Sequence, residues 1–531
     1  MLRLAQRGAP TVPKLTAVAV VPSLRVCVCL CAALSSSGNT PAGASADRTV
    51  REQGDWVAKI DTADLKRHCS VLAADSFEGR AAGTRGGQAA AAYLIAEFRK
   101  LKLEPAGEDK DYRQPFGLNY ANILARIPGS DPILRDELIV LGAHYDHVGY
   151  GNSQNSFGPL GQVHNGADDN ASGTAVVLEI AQALMSRGAP PRRSILLALW
   201  DAEEAGLLGS EHWVKQDPSR RAQVKLAINL DMVGRMQHDR VMVMGWRSAA
   251  GLRQLLAEHN GAYSLAFQFE PRVTADSDHY SFYAGQIPVL HFDTGKHPDY
   301  HRPTDDVEKL NWDGLQRLGH TIARLVAAAA DAPSLPRFRL ESWREGPAPT
   351  YDPQLRKAPP VRLGVSWNPQ ELAKGNVEVL DVAAQSPAAQ AGLRKGDRLV
   401  QFAGWKEGTF ADLRAAITTA PAHVAIAWRR PGSDELLTAT VALQGEPVRC
   451  GLVVAADPAL PQTLTITHVV DSSPADLAGL QPGDNLLQWG DAAVGSAEEL
   501  ARRVQSDVGP VRLLVEREGR LTVKRLDLPP R

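Results

Sequence analysis

Histidine is concentrated where it can do chemistry: ten of the fourteen lie between His144 and His301, among carboxylates and at the ends of apolar runs. His144-Tyr145-Asp146 closes the run at residues 138–143 (LIVLGA). In an extended segment residues i and i+2 face the same side. His144 is therefore placed to ligate a cation, with Asp146 accepting the other ring N–H and fixing the imidazole. Residues 165–173 (NGADDNASG) set Asp168 and Asp169 in a glycine-bounded loop ahead of a strongly apolar helical pattern, which Ser172 is placed to cap. Two adjacent Asp form an ordinary turn, or here offer a carboxylate to bridge cations. Asp201-Ala202-Glu203-Glu204 follows the run SILLALW. Neighbouring carboxylates on an extended chain diverge, which suits one as a ligand and the other as general base toward a water beside it. A solvated loop pair is the alternative. Asp231, inside the run LAINLDM, is costly to bury without a partner. Tyr300-His301, with Asp305 four residues beyond His301, completes the set. Nitrogen and oxygen donors without Cys suit zinc better than other divalent ions.

In chain order, GAHYDH, NGADDNASG, DAEEAGLLGS, NLDMVG, SDHYSF and YHRPTDD resemble the motifs of the di-zinc exopeptidases. That family includes bacterial secreted leucyl aminopeptidases, aminopeptidase Y and glutamate carboxypeptidase. The resemblance spans most of residues 50–330. It implies a three-layer αβα sandwich with a mostly parallel mixed sheet, two zinc ions, and hydrolysis of the N-terminal peptide bond. Carried over by position, it implies Asp168 as the bridging carboxylate, His144 and Asp231 as ligands of one zinc, and Glu204 and His301 as ligands of the other. It implies Glu203 as general base, Asp146 as the acid that orients His144, and Tyr300 as a contact to the oxyanion. Asp278, His279 and Asp305 fall in the same motifs and are expected close behind the site, without an assigned role. The fold also serves carboxypeptidases, dipeptidases and single-zinc glutaminyl cyclases. A PDZ scaffold with a vestigial peptidase block is a further alternative, which the full ligand set argues against.

The elements that must position these residues are legible as periodicities. Residues 137–144, 194–200, 226–232 and 287–292 read as buried strands, and residues 172–187 and 312–330 as helices. Strands alternating with helices argue an α/β sandwich over residues 47–335, with its site beyond the carboxyl ends of the strands. Residues 336–360 are a Pro-rich linker or strap.

A repeat follows. Ser386-Pro387-Ala388 and Ser473-Pro474-Ala475 are offset by 87 residues, and each precedes a Gly-Asp pair, Gly396-Asp397 and Gly483-Asp484. The run resembles tandem PDZ domains, over residues 361–445 and 446–531. Each is expected to be a small β-barrel with helices that takes extended peptide C-termini on a sheet edge. The carboxylate-binding loops would be Leu363-Gly364-Val365 and Gly451-Leu452-Val453. If the pair tethers peptides, removing residues 361–531 is expected to raise KM for long peptides and spare an amino-acid amide.

Composition bounds the rest. Across 531 residues, 58 Lys+Arg against 60 Asp+Glu excludes a strongly basic nucleic-acid binder. No apolar run approaches the ~20 residues of a membrane span. Residues 1–46 carry four basic and no acidic residues, an apolar stretch at 26–34, and Ala44-Ser45-Ala46 before Asp47. This reads as a secretory signal peptide and so an exported, periplasmic or secreted protein. Its removal leaves 54 Lys+Arg against 60 Asp+Glu, a formal net of −6, and two Cys, Cys69 and Cys450. These stand too far apart in sequence to suggest a structural disulfide.

Overall fold

The computed structural model describes residues 56–117, 119–261, 263–346 and 351–530. The expected targeting segment, 1–46, lies outside them.

The first block is built on strands β1 (Tyr120–Ile127), β2 (Leu138–His144), β3 (Ser194–Trp200), β4 (Val224–Leu230), β5 (Arg240–Met244), β6 (Ala266–Phe269) and β7 (Val289–Asp293). Around them lie helices α1 (Thr62–Leu72), α2 (Arg85–Lys100), α3 (Gly173–Met185), α4 (Leu208–Gln216), α5 (Leu252–Asn260), α6 (His279–Ala284) and α7 (Trp312–Asp331). With two short strands, Glu104–Pro105 and Arg113–Phe116, the β-strands make one nine-stranded sheet whose central order is β1-β3-β2-β4-β7-β5-β6. The neighbours β3, β2, β4 and β7 run parallel, whereas β1 and β5 run antiparallel to their partners β3 and β7.

The sequence explains this centre. Every residue of β2 and β3 is buried, as expected of apolar strands covered on both faces. Alternate residues feed two separate cores. Ile139, Leu141 and Ala143 join a cluster with α1, α2, α3, α5 and α7. Leu138 and Val140 join one with Trp213 of α4 and Phe282 of α6. A sheet with a core on each face is the expected three-layer sandwich. Helix α3 is buried at all but Gln182 and Met185, so it is an internal helix. Strand β4 ends at Leu230, one residue before Asp231, which stands in the following loop rather than inside a strand.

The first repeat comprises β8 (Val365–Trp367), β9 (Val379–Val382), β10 (Arg398–Phe402), α8 (Phe410–Thr419), β11 (His423–Arg429) and β12 (Leu436–Ala442). The second comprises β13 (Leu452–Ala456), β14 (Leu464–Val470), β15 (Asn485–Trp489), α9 (Ala497–Ser506), β16 (Gly509–Arg517) and β17 (Arg520–Leu528). Each has a hydrophobic core of its own. The Pro-rich connection acts as a strap: Arg339 donates to the Arg247 carbonyl, and Arg356–Lys357 pairs in parallel with β14 of the second repeat. Cys69 and Cys450 are buried free thiols. Among the described residues no helix is long and apolar enough to cross a membrane.

Candidate metal centre

Parallel strands deliver their carboxyl ends to one place. His144 is the last residue of β2, Glu203 and Glu204 follow β3, and Asp231 follows β4. The loop after β7 returns His301. His144 Nε2 lies 3.1 Å from Asp231 Oδ1 and 3.4 Å from Asp169 Oδ1. His301 Nε2 lies 3.1 Å from Asp169 Oδ2 and 3.2 Å from Glu204 Oε2. Two donors bound to one zinc at tetrahedral angles stand about 3.3 Å apart, so both sets have the spacing of cation ligands. Two groups, His144-Asp169-Asp231 and His147-Asp169-Glu204, converge closely enough to hold an ion each.

The electrostatics also fit cations. Burial opposes charge on His144, but Asp231 and Glu203 outweigh it and hold the imidazole well above its ordinary value. Burial likewise opposes charge on Glu204, yet His147 and His301 hold this carboxyl well below the usual range. Burial pushes Glu203 strongly upward. So many buried carboxylates sharing few cationic partners call for further positive charge.

The shared carboxylate is Asp169, not the expected Asp168. Asp169 has extended torsions (φ −104°, ψ 96°), so the two neighbours point apart. Asp168 turns inward, accepting from Gly234 N at 2.6 Å and Ser172 Oγ at 3.1 Å and facing His297 Nε2 at 3.1 Å. Ser172 does not cap α3 either; its hydroxyl is committed to Asp168, and Asn170 Oδ1 takes the Gly173 N–H at 2.9 Å instead. Asp146 differs in detail from its expected role. His144 Nδ1 meets the Asp146 main-chain oxygen at 3.1 Å, while the carboxylate stays 3.7 Å away. That carboxylate accepts the N–H groups of Glu203 (3.1 Å) and Glu204 (3.4 Å), pinning the turn that carries both.

The remaining expected residues surround the centre. Asp305 accepts the N–H groups of Asp168 and Asp169, at 2.9 and 3.1 Å, and so holds the loop that carries them. Asp278 is fully buried, and burial pushes it up to about 7. His279 stacks on His291 at 4.1 Å. Tyr300 stacks on His301 at 3.9 Å with Lys296 Nζ 4.4 Å above its ring.

Three contributors escaped sequence reasoning: His147, His297 and Arg80. The Arg80 guanidinium is wholly buried and donates to the carbonyls of Leu72 (2.8 Å), Tyr145 (2.9 Å), Asn165 (2.6 Å) and Gly166 (2.9 Å). It ties the His144 strand end to the Asp169 loop. Burial lowers it to about 10. Nothing in the polar run FEGRAAGT distinguishes it from a surface Arg. His147 ends the GAHYDH motif and carries a signal: a second His three residues after His144.

A cavity of about 520 Å³ opens onto the centre. Glu203, Tyr300 and His301 line one side, and Met232, Met242 and Met244 give it an apolar wall. In the repeats, Gly364 and Gly451 occupy equivalent positive-φ positions (76° and 87°) against Ser386 and Ser473. Leu363 therefore corresponds to buried Cys450, and Val365 to Leu452; Val453 corresponds to Ser366.

Residues 122–326 match the sequence family described as peptidase family M28, and residues 378–430 and 465–517 each match a PDZ domain. The chain is 26% identical over 349 residues to leupeptin-inactivating enzyme 1 of Streptomyces exfoliatus, covering 60% of this chain and 74% of that protein. It is 29% identical over 225 residues to aminopeptidase YwaD of Bacillus subtilis, covering 39% and 44% respectively. It is 30% identical over 190 residues to leucine aminopeptidase 1 of Grosmannia clavigera, covering 34% and 43%. It thus spans less than half the length of the last two. Taken with the sandwich fold and the converging donors, these matches identify residues 122–326 as a metallopeptidase block of the M28 type, followed by two PDZ domains.

Proposed function

We propose that this chain is an exported aminopeptidase that hydrolyses the N-terminal peptide bond at a two-zinc centre. One observation carries the reading: Asp169 directs Oδ1 to the set of His144 and Asp231, and Oδ2 to the set of Glu204 and His301. Such a carboxylate suits a pair of cations better than the single zinc of a glutaminyl cyclase. Two bound zinc ions would acidify a water between them and offset charge developing on the peptide oxygen.

The chain's own residues do the rest. Glu203 lines the cavity beside both donor sets, and burial raises its affinity for a proton. It takes the proton of the attacking water and returns it to the leaving amine. Asp146 keeps Glu203 in place through its N–H. Tyr300, with its hydroxyl kept protonated by burial and nearby Asp169, is a donor toward the developing oxyanion. The wall of Met232, Met242 and Met244 suits an apolar first side chain. The names of two of the relatives, aminopeptidase YwaD and leucine aminopeptidase 1, support an aminopeptidase over a carboxypeptidase. Export is supported by the basic, then apolar, then Ala-Ser-Ala pattern of residues 1–46. The PDZ pair adds a surface for peptides with free C-termini.

The test is a panel of peptides with free and blocked N-termini, with and without chelator. Cleavage restricted to free N-termini and lost with chelator is expected; cleavage of blocked peptides would overturn the aminopeptidase assignment. Glu203→Ala should lower kcat by at least about 100-fold while zinc content holds, as loss of a general base does. Amino-terminal sequencing of the exported protein checks the leader.

A further inference from the structure

We propose that Phe157 selects for an apolar side chain at the second residue of the substrate peptide, on the far side of the bond that is cut. This rests on the aminopeptidase reading above. The loop that carries Phe157, residues 150–163 (YGNSQNSFGPLGQV), contains no charged residue. It nevertheless presents three large apolar side chains to solvent: Tyr150 (49% exposed), Phe157 (62%) and Leu160 (52%). An uncharged surface of this kind beside a catalytic cavity marks a contact for another molecule.

The loop is built onto the metal centre. His301 Nδ1 donates to the Asn155 carbonyl at 2.8 Å, and the Phe157 N–H donates to the His301 carbonyl at 3.1 Å. Arg302 Nη1 donates to the Gly158 carbonyl at 3.2 Å, and Ser156 Oγ lies 2.7 Å from His164 Nε2. The Gly161 N–H closes the neck of the loop on the Tyr150 carbonyl at 2.8 Å. Phe157 is thereby fixed against two residues of the cavity, its ring 5.8 Å from that of Tyr300 and 6.1 Å from that of His301.

The order of the strands decides which part of the peptide the ring meets. The donors His144, Glu204 and Asp231 follow β2, β3 and β4, whereas Met242 and Met244 belong to β5, beyond β7. With the peptide bond over the donors and the first side chain against the methionines, the rest of the peptide leaves toward the β3 end. Glu204 and His301 mark that end, and Phe157 stands beside His301. Consecutive Cα atoms are about 3.8 Å apart, so the second residue is the one within reach of the ring.

The test compares kcat/KM for the dipeptide amides Leu-Phe, Leu-Leu and Leu-Gly with zinc-loaded full-length protein. A preference of about 3- to 10-fold for Leu-Phe over Leu-Gly is expected, the worth of one aromatic contact. Phe157→Ser should bring that ratio close to one, and any general loss of activity cancels in the ratio. Phe157→Leu keeps an apolar side chain and should retain most of the preference for Leu-Leu over Leu-Gly. No preference in the unaltered protein, or an undiminished one in Phe157→Ser, would overturn the proposal. An equal fall in Phe157→Leu and Phe157→Ser would assign the effect to a displaced loop and overturn it too. Failure of the unaltered protein to release leucine from any of these substrates, or from leucinamide, would instead sink the aminopeptidase reading itself.

Discussion

The two PDZ domains carry the same internal devices in the same register, yet among the described residues it is the second that is built into the peptidase. In the first, Asp397 accepts the Arg394 N–H at 2.9 Å and pairs with Arg430 at 3.0 Å. In the second, 87 residues on, Asp484 accepts from Gln481 N at 2.9 Å and pairs with Arg517. Arg362 and Arg449 each donate to carbonyls near the C-terminal end of the adjacent helix. The difference lies outside the motif. Where the first domain has exposed Arg429, the second has Glu516, 2% exposed, held by Nε and Nη2 of Arg253 at 2.9 and 3.1 Å. Asp457 takes Arg247 at 2.6 and 2.9 Å. Ala459 and Leu460 enter the peptidase core. Phe267 of edge strand β6 donates its N–H to the Glu518 carbonyl at 2.8 Å, so the second domain covers a sheet edge that would otherwise be open. The first domain is tied to the second through Arg414 with Asp471 and through Val448 N to the Thr418 carbonyl at 3.0 Å. The lesson is that the repeat specifies each domain's own fold, while a few residues around it specify where the domain goes.

This sharpens the expectation for truncation. Removing residues 361–531 uncovers Leu460's place in the core and frees β6. That strand leads into Glu270, Arg272, Thr274 and Asp276 on the cavity wall. Such a truncation is therefore expected to impair even an amino-acid amide substrate, and tethering must be tested in the first domain alone.

The largest contrast should come from Leu460→Asp. A carboxylate in the peptidase core costs about 3 kcal/mol or more, read by denaturant unfolding of the intact chain. The repeat-equivalent Ala373→Asp, on an exposed residue, should stay within about 0.5 kcal/mol. Equal effects would mean that the second domain is not docked as described. Next is Glu516→Arg, which sets two guanidiniums against each other in a buried place. It should cost about 3 kcal/mol, and adding Arg253→Glu should recover part of that; Arg429→Glu should be nearly neutral. If the swap recovers nothing, the ion pair does not specify docking. Gly364→Leu imposes a left-handed torsion on a branched side chain at about 1–3 kcal/mol. It should raise KM for long peptides and leave amide hydrolysis unchanged, and a parallel rise for both would argue against tethering there. The smallest effect is acid release of the strap. Burial opposes charge on Glu345, but Arg247 and Arg339 outweigh it and lower its carboxyl to about 2. A folded-state pKa below the usual carboxylate range contributes stability that is full above about pH 4.5 and fades as pH falls toward 2. Hydrogen exchange near residues 339–345 should rise over that window, and Glu345→Gln should flatten the response.

Much of the site was readable from sequence because it sits at strand ends. His144, Glu203, Glu204 and Asp231 follow apolar runs whose parallel pairing brings their ends together. The errors fall in loops. Asp168 and Asp169 are chemically identical neighbours, and only the torsions of the loop decide which one faces the cavity. Asp146 was read as a ring partner from its i+2 spacing, but its carboxylate found two N–H groups from a segment 57 and 58 residues away. Arg80 and His147 gain meaning only from chain segments distant in sequence that fold over them.

The order of six motifs, the period of the apolar runs and the 87-residue repeat were enough to determine an α/β metallopeptidase followed by two PDZ domains. These are local patterns, and local patterns dictate secondary structure and the inventory of donors. Tertiary structure decided which of two adjacent carboxylates faces both donor sets, which second imidazole meets Glu204, and which PDZ domain docks on the peptidase block. Each of those depends on the direction of a side chain relative to a distant segment, and that direction is set by packing.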